Sequence, residues 1–111
     1  MVIYLCSLPL RMAEQLGAEE VVVVTSRYHM PRSSWMFRVV AAALRLQVKL
    51  GEAAAEAAEG ENVSSHLERE ASLLRRSPNW VKRGLGVEMV EGMESIEGPR
   101  EEIGQMLQDQ S

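Results

Sequence analysis

Four consecutive valines that give way to a polar turn and then to an apolar helical pattern, "EEVVVVTSRYHMPRSSWMFRVVAAALRL" (19–46), set the tightest limit on the fold. Val21 to Val24 are β-branched and apolar on both sides of a strand, the pattern of an interior strand in a parallel sheet covered on both faces. Pro31 pre-sets the first turn of a helix, and the spacing predicts one from about Pro31 to Leu46. Within it, Ser34, Arg38 and Arg45 share a narrow stripe, the expected solvent face. Arg32 heads the opposite stripe, above Met36, Val39, Ala43 and Leu46. "LQVKLGEA" (46–53) reads as a second short strand. Strand, helix and strand in about 30 residues form a βαβ unit, with parallel strands and a right-handed crossover.

The flanks are read around that unit. In "LCSLPLRMAEQL" (5–16) Leu5, Leu8, Met12 and Leu16 fall on one helical face, Gly17 offers a stop, and Pro9 moves the helix start towards itself. "AAAEAAEGEN" (53–62) has no bulky apolar side chain and reads as a surface connection or a weak helix. Ser65 with Glu68 has capping-box spacing for a helix carrying Leu67, Ala71 and Leu74, which Pro78 is expected to end. "VEMV" (87–90) reads as an edge strand. "GPREEIGQMLQ" (98–108) reads as a last amphipathic helix with Pro99 at its start and Ile103, Met106 and Leu107 on one side.

Length and charge narrow the function classes. A chain of 111 residues is one domain on length, and 46% hydrophobic with 25% charged residues is globular rather than disordered. The net charge of −4 argues against general nucleic-acid binding. It is unevenly spread: residues 1–50 carry +3 and residues 51–111 carry −7. The motif lies in the basic half, which keeps a local anionic ligand open. The apolar N-terminal stretch of ten residues is too short to span a membrane and has no signal-peptide flanks, so the expectation is a soluble, cytoplasmic chain. Cys6 alone cannot form an intrachain disulfide, which fits a reducing compartment, and it reads as a buried structural thiol. The sequon at Asn62 therefore carries no weight.

In an open α/β sheet, ligands bind beyond the carboxyl ends of strands, where helix N-termini point. Thr25 and Ser26 offer hydroxyls at such an end. The helix at Pro31 offers free backbone N–H groups, and Arg32 a planar guanidinium leaning back towards the strand. Together they suit a phosphate, sulfate or carboxylate. His29 can bond the same anion or move a proton, although the sequence identifies no carboxylate partner for it. The bland reading is a capped helix with a structural histidine. His66 and Glu70, one turn apart, are too few for a metal site and read as part of a solvated helix face. No phosphate-loop, dinucleotide or nucleophile-elbow motif occurs, and Trp35 and Phe37 are core candidates.

Thr25, Ser26, His29 and Arg32 stand in a Thr-Ser-x-x-His-x-x-Arg array after a hydrophobic strand, with Ser33 as a small residue and Met36-Phe37 as an apolar pair. That array resembles the signature of the DUF218 family, the ElyC/SanA/YdcF-like proteins, over about residues 10–50. The resemblance implies a Rossmann-like α/β fold and ligand binding by those four residues. It also implies a nucleotide-type ligand such as S-adenosylmethionine, and a link to cell-envelope biogenesis, often through a membrane anchor. The family's Gly-rich turns and its Asn-Thr-x-Glu-Asn motif are not found before the helix that starts near Leu8, so the chain corresponds to the C-terminal portion of such a domain. The expectation is a single truncated domain over 1–111, with a motif-bearing βαβ unit at about 20–50 and a helical, acidic part at about 62–111. Its fold would be a partial three-layer sandwich with a small parallel sheet of three or four strands, whose exposed edge invites homo-oligomers. The expected function is binding of a phosphate- or nucleotide-bearing small molecule at the motif. The alternative is a non-catalytic interaction protein, or a fragment that keeps the fold without the pocket.

Overall fold

The computed structural model describes residues 2–5, 10–85 and 95–110. In chain order the elements are β1 (Val2–Leu5), α1 (Leu10–Gln15), β2 (Glu20–Ser26), α2 (Met30–Ala43), β3 (Lys49–Ala55), α3 (Val63–Leu85) and α4 (Glu97–Asp109). The fold is mixed α/β, four helices with a small parallel sheet in the order β1-β2-β3. Val21 stands opposite both Ile3 and Leu50, and Ser26 opposite Ala55. No helix among the described residues is long and apolar enough to cross a membrane.

The valine run is the central strand. Val21, Val22 and Val23 are buried and Val24 is half-buried. On one side, Val21 joins Leu10 and Ala13 of α1 and Ala41 of α2 in a cluster that Phe37, Val40, Leu46, Val48 and Leu50 complete. The segment before α1 contains more than sequence periodicity suggests. Val2 to Leu5 pair with β2 as a strand, in keeping with the β-branched and aromatic residues there. The helix begins only after Pro9 and runs for six residues. Its phase is set by the buried Leu10 and Ala13, so Met12 and Leu16, expected on the inner face, are exposed. Gly17 ends it with a left-handed φ of 78°, a conformation that favours glycine.

Helix α2 is packed on two sides. Phe37, Val40 and Ala41 face the sheet cluster, while Trp35 and Val39 pack with Val81 of α3, joined by Met36, Ala43 and Ile96. Trp35 is fully buried. This double packing corrects the expected solvent stripe: Ser34 is buried and accepts a hydrogen bond from Arg38 Nη1 at 2.6 Å. The helix ends at Ala43, short of the expected Leu46. Arg45 takes φ 55°, its N–H donates to Ala42 O, and the Leu46 N–H donates to Ala41 O, the paired bonds of a Schellman end.

Helix α3 differs from expectation at both ends. Its cap is Asn62, whose Oδ1 accepts the Ser65 N–H at 3.1 Å, rather than a box made by Ser65 and Glu68. At the far end it passes through Pro78 to Leu85. An interior proline disfavours a helix by about 3 kcal/mol, but Leu74 and Ser77 before it and Val81 after it are all buried, and that tertiary packing carries the helix across. Helix α4 lays Ile103, Met106 and Leu107 against Tyr28, Leu67 and Leu74. The expected strand at 87–90 and the expected burial of Cys6 lie outside the described residues.

Gly51, in β3, offers a test of the strand packing. A methyl group there would meet Val22 Cγ2 at 3.6 Å, an ordinary contact. Gly51→Ala is expected to raise stability by about 0.5–1 kcal/mol, since alanine loses less backbone entropy. Urea denaturation measures the change.

Candidate functional site

Strand β2 ends at Ser26, and the turn Arg27–His29 leads into α2 at Met30. The turn is tied down: Arg27 N–H donates to Ala55 O at 2.9 Å and His29 N–H to Ser26 O at 3.0 Å. Thr25 and Ser26 are half-buried at the strand's carboxyl end. His29 and Arg32, three residues apart at the start of α2, converge on one carboxylate supplied by α3. His29 Nδ1 hydrogen-bonds Glu70 Oε1, Arg32 Nε donates to Oε2, and Arg32 Nη2 donates to Oε1 at 3.2 Å. Glu70 is only 1% exposed, against 38% for the His29 side chain and 21% for Arg32.

The chemistry of this triad follows from burial. A buried carboxylate is tolerated only when paired and hydrogen-bonded, and Glu70 receives a guanidinium fork and an imidazole. An ionised carboxylate can only accept, so the bonded His29 nitrogen must be the donor. That fixes the neutral ring as the Nδ1–H tautomer and leaves Nε2 as its free acceptor. Arg32 in turn has two nitrogens on Glu70, and its Nη1 lies 3.9 Å from Met36 Sδ. The motif therefore grips an internal anion.

A second cluster adjoins the first. The Tyr28 hydroxyl donates to Glu61 Oε1, and Glu61 Oε2 accepts the Ala58 N–H at 2.9 Å. His66 Nε2 lies 3.5 Å from Glu61 Oε1. Tyr28 stacks on His66 with centroids 4.6 Å apart and meets His29 edge-on at 4.4 Å. The Tyr28 hydroxyl holds the Glu61 carboxyl below its ordinary value of 4.5, helped by the Ala58 N–H. The same bond raises the Tyr28 phenol above 10.0, with Ser26 opposing and burial adding to the rise.

Beyond the ends of β2 and β3 lies a groove of about 430 Å³, bounded by Arg27, Tyr28, Glu56 and Ala57 and, across from them, by Glu102 and Met106 of α4. Arg27 Nη1 pairs with Glu56 at its exposed rim, 3.3 Å away.

All four residues singled out in the motif lie where β2 runs into α2, none of them lines the groove, and only His29 and Arg32 meet on a common partner. Glu70 corrects a second expectation. It is not part of a solvated helix face, because α3 presents it on the same inner stripe as Leu67, Leu74, Ser77 and Val81, all buried. A charge at a core position of an otherwise apolar helical repeat was the available signal. Tyr28 and Glu61 carried no comparable one. Among the described residues no group of three or more His, Cys, Asp or Glu side chains is placed to hold a metal ion. No family model matches the chain, and no match was found among curated proteins or solved structures.

Removing one partner of a buried pair leaves an uncompensated charge. Arg32→Ala is therefore expected to destabilise by about 3–5 kcal/mol, while replacing Arg32 and Glu70 together by Leu recovers most of that loss. A double-mutant cycle in urea tests the coupling. The second cluster predicts pH limits on both sides. Because folding lowers the Glu61 pKa, its stabilisation is complete above 4.5 and lost as pH falls through the folded value. Because folding raises the Tyr28 pKa, its stabilisation is complete below 10.0 and lost as pH rises through the folded value. The stability difference between wild type and Glu61→Gln should narrow as pH falls below 4.5.

Proposed function

We propose that the chain is a DUF218-like, Rossmann-like α/β protein that binds a phosphate- or nucleotide-bearing small molecule at Thr25, Ser26, His29 and Arg32. The observation that carries this reading is the fastening of His29 and Arg32 by Glu70 beside the carboxyl end of the central strand. That is where open parallel sheets take their ligands. In this reading Thr25, Ser26 and the exposed part of His29 meet the ligand. Arg32 neutralises Glu70 and adds its remaining N–H. The groove beyond β2 and β3 gives the rest of the molecule room, and an S-adenosylmethionine-type ligand belongs among the candidates. The sheet and its helices form part of a three-layer sandwich. Association between copies would use an outer sheet edge. On β3 the exposed Lys49 and Glu52 discourage such pairing.

One observation favours a second reading. Glu70 already fills most of the Arg32 fork, as it would in a non-catalytic interaction protein whose motif only fastens α3 to the sheet.

Thermal unfolding with nucleotides, sugar phosphates and S-adenosylmethionine separates the two. A ligand at 100 times its dissociation constant adds about 2.7 kcal/mol of stability, so a phosphate-bearing ligand should raise the melting temperature of wild type. The rise should shrink in Thr25→Ala and His29→Gln, which keep the Arg32–Glu70 pair. No shift with any compound would leave the second reading standing.

A further inference from the structure

We propose that His66 joins His29 in holding the phosphate group of the ligand, so that the two imidazoles flank it; this rests on the ligand-binding reading above. The chain contains two histidines, 37 positions apart in sequence, and the fold brings their ring centroids to 6.5 Å. Both side chains are 38% exposed. His29 Nδ1 is hydrogen-bonded to Glu70, and His66 Nε2 lies 3.5 Å from Glu61 Oε1, an ion-pair contact when the ring is protonated. Among the described residues nothing bonds to His29 Nε2 or His66 Nδ1. Tyr28 holds the pair in place, stacked on one ring and edge-on to the other.

Two oriented imidazoles suit either an anion between them or a metal ion. The ligand count decides for the anion: two histidines are too few for a metal site, and among the described residues no group of three or more His, Cys, Asp or Glu side chains is placed to hold a metal ion. With their centroids 6.5 Å apart, both rings can donate to oxygens of one phosphate. The charges around the rings add a condition. Glu70 is matched by Arg32, and Glu61 is satisfied by Tyr28 and the Ala58 N–H. With both rings neutral these groups sum to −1, and with both charged to +1. A phosphate anion is therefore favoured by the charged pair, whose free nitrogens become donors.

Having only two histidines makes the test direct. In a carbon–proton correlation spectrum at pH 6 the Cε1–H groups of His29 and His66 give two signals, assigned with His29→Gln and His66→Gln. Inorganic phosphate and adenosine monophosphate are titrated in at constant ionic strength. Both signals should move with one dissociation constant. His66→Gln should weaken binding by about tenfold, one charge-assisted hydrogen bond. Movement of His29 and of the Thr25 and Ser26 amides without His66 would overturn this inference and leave the motif's role intact. No movement anywhere would overturn both. Zinc moving both signals at lower concentration than phosphate would also overturn it, by making the pair a metal site.

Discussion

A single buried carboxylate organises this chain. Glu70 comes from α3, but both of its partners come from the first turn of α2 and the residue before it. The pair is polar where the surrounding contacts are not. Above it α3 is fixed to α2 through Trp35, Val39 and Val81, and beside it α3 meets α4 and Tyr28 through Leu67, Leu74 and Ile103. Apolar packing tolerates sliding by small steps, whereas a guanidinium fork and an imidazole on one carboxylate accept a single register. In this protein the ion pair joins α3 to the start of α2 on a face that Leu67, Leu74 and Val81 already turn inward.

Much of the α/β core could be read from residue type alone. A run of β-branched residues cannot easily do anything but pair on both edges, and Pro31 and Gly17 mark boundaries by backbone geometry that holds in any context. What escaped was decided by tertiary contact. Pro78 reads as a stop only if the segments on either side of it are free to separate, and the burial of Leu74 and Val81 removes that freedom. Ser34 reads as a surface residue only if α2 has one buried side, and it has two. The strand at Val2 to Leu5 is too short to announce a period.

The candidate site divides in the same way. Thr25, Ser26, His29 and Arg32 lie within eight residues, and their chemistry can be proposed from spacing. The one partner that Arg32 and His29 share, Glu70, is 38 and 41 residues away from them. Glu70 left a trace as a charge on an apolar stripe. Glu61 left none, because its role depends on where Tyr28 falls after the turn. His66, read with Glu70 as one polar face, is partly exposed as expected, whereas Glu70 is buried.

The span between the motif and Glu70 also bears on synthesis. Domains form from the N-terminal end as the chain emerges, so β2, α2 and β3 are exposed before α3 exists. For that interval the nascent chain carries the Arg32 cation next to Trp35 and Val39 with no carboxylate to meet it. Until α3 is made, the part of α2 that meets Glu70 and Val81 in the finished protein has no partner on that helix.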